Sequence, residues 1–372
     1  MDRILRAPRP ALAFAQVVSR QVDREALSLY RSAVANGQRQ PLFGRKSELR
    51  RMTTDPRKNY LVIGPHGIGK TSLLDEIYRR FRTHPTVECH YLSLADGDLT
   101  AALGDALGMS GEPLLDVLLE RLVDRPKGKQ VVVLCDDADT WATLDAARGG
   151  AQLQTLTVLS NEHPCSFVLA GFLGLLYAAR PVRGRKRFGD IVRIENLDAE
   201  ACTELATSPM AALNVHYAKT DLIEHLTQQS AGMPGLLAVL CDQVLARLPP
   251  GEDIIERAEV EIACKSEAVA QTITAWRPRF GLPESRFATL DQTVMMSAVF
   301  KPHFTLEELQ STLAGLGVHA TATEVQHSAD RLVAACVFEH WLGSFHFRVP
   351  LFQTVMQEAT LARMIEQSSP DD

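Results

Sequence analysis

The nine residues Gly64-Pro65-His66-Gly67-Ile68-Gly69-Lys70-Thr71-Ser72 decide the fold of this chain, because the first eight fill every required position of the pattern G-x-x-x-x-G-K-[ST]. Upstream, the apolar run Tyr60-Leu61-Val62-Ile63 predicts a buried strand. Downstream, Leu73, Leu74, Ile77, Tyr78 and Phe81 recur at helical spacing, which predicts a helix over Thr71 to Phe81. A glycine-rich turn between strand and helix keeps its backbone N–H groups clear of side chains, so several can converge on one anion. The helix start adds unpaired N–H groups and the positive end of the helix dipole. All nine residues are therefore candidate contacts for a nucleoside triphosphate. In that arrangement Lys70 neutralises the β and γ phosphates, and Thr71 offers its hydroxyl to Mg²⁺. His66 fills a variable position and reads as tolerated, not catalytic.

Some sixty residues on, Val131-Val132-Val133-Leu134-Cys135-Asp136-Asp137 is an apolar run ending in two carboxylates. Following a phosphate loop, that is the pattern of a strand whose first acid, Asp136, holds the Mg²⁺ shell. The second, Asp137, is then placed to orient or deprotonate an attacking water. On its own, the same pair is a surface acidic turn.

At 372 residues the chain exceeds one ordinary core and predicts two or three domains. With 46% hydrophobic and 23% charged residues it has the composition of a globular protein. A net charge of −6 argues against binding nucleic acid with the whole surface, though not against a local basic patch. The seven cysteines form no C-x-x-C pair and read as small buried apolar residues in a reducing cytoplasm. The run from Phe167 to Ala179 contains two glycines and is too short for a membrane span, so no membrane partner is expected.

The chain divides into five parts. Residues 1–40 carry seven arginines against Asp2, Asp23 and Glu25 and predict a helix from about Ala11 to Ala35. This basic segment is either a solvated helix or an arm that touches a partner. Residues 41–196 alternate apolar runs with helical stretches, the signature of a three-layer α/β domain with a parallel sheet. Its predicted strands are Tyr60 to Ile63, Cys89 to Leu94, Val131 to Cys135, Ser166 to Ala170 and Ile191 to Ile194. Residues 197–280 read as helical, broken at Gly232-Met233-Pro234-Gly235. Residues 281–360 predict three helices, at Arg286 to Val299, Thr305 to Ala314 and Thr323 to Ala335, followed by a hairpin around Leu342-Gly343-Ser344. Thr305 and Glu308 make a capping box. Residues 361–372 form a tail.

Taken in order, these motifs resemble the AAA+ and related signal-transducing NTPases, in the branch that joins origin-recognition-type ATPases, archaeal-type ATPases and STAND switch proteins. Pro41-Leu42-Phe43-Gly44-Arg45-Lys46-Ser47-Glu48-Leu49 looks like that family's base-cradling segment, with Phe43, Gly44 and Arg45 as contacts. The phosphate loop and the Asp136-Asp137 strand correspond to Walker A and Walker B. Arg183-Gly184-Arg185-Lys186-Arg187 lies where the family places an arginine that reaches a nucleotide, and Arg187 and Arg185 are both candidates. Gly232-Met233-Pro234 resembles the G-x-P motif of the helical lid, whose proline, here Pro234, packs near the base. The terminal helices and hairpin look like a winged helix. The resemblance implies a P-loop NTPase core of the AAA+/ASCE type, a lid, ATP or ADP with Mg²⁺, and a homo-oligomer formed through the ATP site.

The chain also departs from the family pattern. Motors of the family carry Glu at the second Walker B acid, whereas this chain has Asp137, one methylene shorter. The predicted strand ending Ala170-Gly171 lacks the polar residue that motors use to hold water, and no arginine follows the G-x-P motif. Slow hydrolysis and a nucleotide-dependent switch or assembly factor that recruits a protein partner fit these departures. Two other roles fit the same motifs. One is a DNA-binding ATPase in the manner of initiators or transposition regulators; the other is a scaffold that holds ADP with negligible turnover. The predicted third helix, Thr323 to Arg331, sets Arg331 against Glu324 and Asp330, which disfavours a phosphate-gripping face.

Overall fold

The computed structural model describes residues 41–109, 111, 114–124, 128–180, 187–276 and 286–368, together with Ser28 and Tyr30. Apart from those two residues, the predicted N-terminal helix lies outside the described residues. So do Arg185 and the last four residues of the chain. The chain forms two compact units, each assembled from separate stretches: residues 45–195 with 276–348, and residues 1–44 with 196–275 and 349–372.

The first unit holds a five-stranded parallel sheet. In chain order its strands are β1 (Tyr60–Ile63), β2 (Val87–Ser93), β3 (Gln130–Asp136), β4 (Cys165–Gly171) and β5 (Asp190–Arg193). Their spatial order is β2-β3-β4-β1-β5. β1 and β4 are buried along their whole length, which is why they read as unbroken apolar runs. β4 lies between the strand that leads into the glycine-rich loop and the strand that ends in Asp136. Asn59 braces the entry edge. Its side-chain nitrogen donates to Ser160 Oγ at 2.7 Å and its oxygen accepts the Phe167 N–H at 2.8 Å.

Helices connect the strands: α1 (Lys46–Thr54), α2 (Lys70–Arg82), α3 (Leu99–Leu107), α4 (Leu115–Asp124), α5 (Asp139–Ala147), α6 (Ala151–Glu162) and α7 (Leu173–Ala178). The apolar stripe read from the sequence is the buried face of α2, made by Leu73, Leu74, Ile77 and Phe81.

In the second unit, α8 (Ala199–Ala212), α9 (Thr220–Ser230), α10 (Pro234–Arg247) and α11 (Arg257–Cys264) form a helical bundle, followed by α12 (Glu267–Trp276), whose last residue falls in the first unit. The bundle also contains a parallel pair, β6 (His216–Tyr217) with β7 (Ile254–Ile255), that the helical pattern does not reveal. Ser28 Oγ donates to Asp242 at 2.6 Å, and the Tyr30 hydroxyl donates to the Ala206 carbonyl at 2.8 Å.

The three helices and hairpin predicted near the end are α13 (Arg286–Ser297), α14 (Leu306–Gly315), α15 (Ala322–Ala334), β8 (Phe338–Trp341) and β9 (Ser344–Phe347), all in the first unit. Leu342 and Gly343 turn the hairpin with φ of 50° and 81°, the left-handed pair of a type I′ turn. Phe304 pairs with Phe345 through two backbone hydrogen bonds and adds a third edge to the hairpin. Thr305 caps α14 with the predicted box, and Thr321 with Glu324 repeats it at α15. Arg331 departs from the sequence expectation. It turns inward and makes a bidentate pair with Asp291 at 2.6 and 2.8 Å, with both side chains buried. The helix period of α15 carries position 331 to the face that meets α13, away from Asp330. A final helix, α16 (Pro350–Ser368), packs against α9 in the second unit and runs past residue 360.

Candidate functional site

β1 delivers the chain into the glycine-rich loop, and the loop feeds α2 at Lys70. Gly67 and Gly69 sit at φ of 77° and 95°, a region that side chains other than glycine enter at a cost, and Gly69 is the N-cap of α2. A Cβ on Gly67 would also come within 2.8 Å of the Trp276 ring. Trp276 meets His66 edge to face, with ring centroids 5.7 Å apart. The sequence treats Trp276 as a core residue; nothing local in it shows that this core contact is the phosphate loop.

Lys70 is half-buried and donates to the carbonyls of Gly64 and Pro65 at 2.8 and 3.0 Å. Burial lowers its ammonium pKa below the ordinary lysine value, opposed by Asp139, Asp136 and Asp137 in that order. The lysine, the Asp136 that ends β3 and the Asp137 and Asp139 that follow it therefore share one electrostatic site. Arg45 is buried and donates to the carbonyls of Ile68 and Glu195, so its guanidinium props the loop from behind. Gly64, Pro65 and Ile68 are buried, and His66, Thr71 and Ser72 are exposed or half-exposed around the loop and helix start.

Asp136 closes β3 with its side chain buried. One carboxylate oxygen accepts the Asp137 N–H at 3.0 Å, and the other accepts the Tyr91 hydroxyl at 2.9 Å. A carboxylate offers roughly four lone-pair sites, so two hydrogen bonds leave it able to ligate. Its oxygens and the Thr71 hydroxyl are the hard donors that a divalent cation such as Mg²⁺ takes. Asp137 is exposed and holds φ at 52°, which Asp tolerates better than most residues.

Asp139 has a role the sequence does not disclose. Its carboxylate accepts the N–H of Phe172 at 2.7 and 2.9 Å and that of Leu175 at 2.9 Å, tying the start of α5 to the turn after β4. Arg187 is exposed just before β5.

The remaining predicted contacts, Phe43, Gly44 and Pro234, belong to the second unit. Gly44 packs against Ala201 and Leu197 there. The Leu197 N–H donates to Gly232 O at 2.8 Å, and Asn196 Nδ2 donates to Ala231 O at 2.7 Å. Pro234 opens α10 in its first turn, where a missing N–H costs nothing. That unit thus gathers Gly44 and the Gly232-Met233-Pro234 segment around Leu197. Asn196 Oδ1 is buried without a hydrogen-bond partner, the one such side-chain atom among the described residues.

A glycine loop at φ above zero, a lysine at the helix start and an acid-tipped strand two places across a parallel sheet settle the class. The first unit is built on a P-loop NTPase fold. Residues 51–176 match the family model described as an AAA domain. The Walker-type ATPase PABY2304 of Pyrococcus abyssi superposes with a TM-score of 0.63 at 16% identity, covering 86% of this chain and 97% of that one. The Aeropyrum pernix ORC1 protein, solved in complex with DNA, gives 0.49 at 18% identity over 87% and 95%. Cdc6p of Pyrobaculum aerophilum gives 0.47 at 15% over 93% and 98%. No curated protein matches the sequence.

Proposed function

We propose that this P-loop AAA protein binds ATP with Mg²⁺ and hydrolyses it slowly, acting as a nucleotide-dependent switch or assembly factor that recruits a protein partner. The observation that carries the reading is the shared site of Lys70 with Asp136, Asp137 and Asp139 beside a loop of positive-φ glycines. The loop N–H groups and Lys70 hold the phosphates, while Thr71 and Asp136 hold Mg²⁺, which when bound neutralises developing charge on the phosphoryl oxygens. Asp137 orients the attacking water.

Slow turnover is supported by two features. Asp137 has a short side chain on a left-handed residue, and positioning dominates phosphoryl transfer. The only acid two residues on, Asp139, spends its oxygens on backbone N–H groups of Phe172 and Leu175. Arg187, exposed beside β5, is the described candidate for completing the site of a neighbouring copy, and Arg185 is the other. We assign the terminal helices and hairpin to a winged helix that serves as a protein platform. The inward turn of Arg331 removes a cation from α15, which leaves Glu324 and Asp330 on that helix and speaks against DNA as its ligand. Seven free cysteines accord with a reducing cytoplasm. Among the described residues, no helix is long and apolar enough to cross a membrane.

The test is ATP turnover by the full-length protein, alone and with duplex DNA, beside Asp137→Ala and Arg187→Ala. The expected result is slow turnover that ignores DNA, rises with protein concentration and falls by roughly 100-fold in Asp137→Ala. Arg187→Ala should bind nucleotide and fail to hydrolyse it. Turnover stimulated by DNA would favour the DNA-binding role, and tightly retained ADP with no turnover would favour the scaffold.

A further inference from the structure

Asp136 takes its orientation from a neighbouring strand. β2 pairs with β3 in parallel register, with Tyr91 opposite Leu134 and Ser93 opposite Asp136. Leu134 and Asp136 are two residues apart and point to the same face, so a long side chain at Tyr91 can lean along the sheet to the end of β3. Its hydroxyl donates to Asp136 Oδ2 at 2.9 Å. Tyr78 of α2 meets the Tyr91 ring edge to face, with centroids 5.9 Å apart. The helix that begins with Lys70 and Thr71 thus fixes the ring, and the ring fixes the carboxylate.

We propose that Tyr91 is the positioning residue for the divalent cation of the bound nucleotide, holding Asp136 in the orientation in which its remaining lone pairs meet the metal shell. The proposal rests on the nucleotide-binding reading of the loop. Metal-binding carboxylates depend on such outer partners for their geometry, and losing the partner costs roughly ten- to a hundredfold in metal affinity. A tyrosine retained only for packing would serve equally well as phenylalanine, and this distinguishes the two roles.

The test compares full-length wild type with Tyr91→Phe, which keeps the ring against Tyr78. Binding of a fluorescent ADP analogue is titrated with Mg²⁺, and in parallel with EDTA present; ATP turnover is measured against Mg²⁺ concentration. Tyr91→Phe should raise the half-saturating Mg²⁺ concentration roughly tenfold, while affinity in EDTA stays at the wild-type value. An unchanged Mg²⁺ requirement would overturn the assignment, as would an equal loss of affinity with and without Mg²⁺. Should wild type bind no nucleotide in either arm, the loop reading itself fails, and this inference with it.

Discussion

Lys70 shows how one side chain can report the state of the site. In the free protein its ammonium is half-buried, donates to Gly64 and Pro65 carbonyls, and has its pKa lowered by burial against the pull of three aspartates. A bound polyphosphate adds negative charge at the ammonium and raises that pKa again. Between the lowered value in the free protein and the higher one in the complex, binding takes up a proton. ADP affinity should therefore fall as pH rises through the free-protein value, with net proton uptake on binding. Calorimetry in two buffers of different ionisation enthalpy, from neutral pH upward, checks this. An affinity that does not vary with pH and shows no proton uptake would contradict the assignment. At the same scale, Gly67 joins two demands that no other residue meets, a φ of 77° and space for Trp276.

Among the elements, the packing of α13 on α15 turns on the buried pair of Asp291 with Arg331, to which Ser328 adds a hydrogen bond at 2.6 Å. Removing one member of a buried pair leaves the other charge without compensation, at a cost of about 3–5 kcal/mol. Arg331→Met should lower stability by that amount in urea unfolding. Replacing both partners, as Asp291→Leu with Arg331→Met, should recover most of the loss, because two apolar side chains need no compensation. A double variant as unstable as the single one would show that the pair contributes through shape and not through charge. The helices and hairpin themselves were legible in the sequence from periodicity, from the Thr305–Glu308 box and from Leu342-Gly343. The partner of Arg331 was not, because Asp291 lies forty residues away and α15 must be docked before the two can meet.

For the molecule as a whole, each compact unit draws on distant parts of the chain, and chain order alone does not show that residues 276–348 join residues 45–195. A ligand bound only by the native state stabilises it in proportion to the logarithm of its concentration over Kd. ADP with Mg²⁺ at a hundred times Kd should add about 2.7 kcal/mol, seen as a rise in the thermal midpoint. Lys70→Ala should abolish that rise without lowering the midpoint of the free protein by a comparable amount. Running the same series with GDP tests the preference for adenine. An equal shift in wild type and Lys70→Ala would move the nucleotide away from the loop.

The sequence alone determined whatever depends on neighbours along the chain. The loop from Gly64 to Thr71 needs only glycines free to take positive φ and a helix beginning at Lys70. The strands and the stripe of α2 need only an apolar pattern of the right period, and Asp136 needs only to stand at the end of such a strand. The tertiary structure decided what depends on register and docking. It set β4 between β1 and β3, brought the Tyr91 hydroxyl to Asp136 across two paired strands, gave Asp139 to N–H groups more than thirty residues on, and laid Trp276 against Gly67. These contacts join groups far apart in the chain. No local pattern encodes such a distance, and only the burial of the surrounding apolar surface brings the groups together.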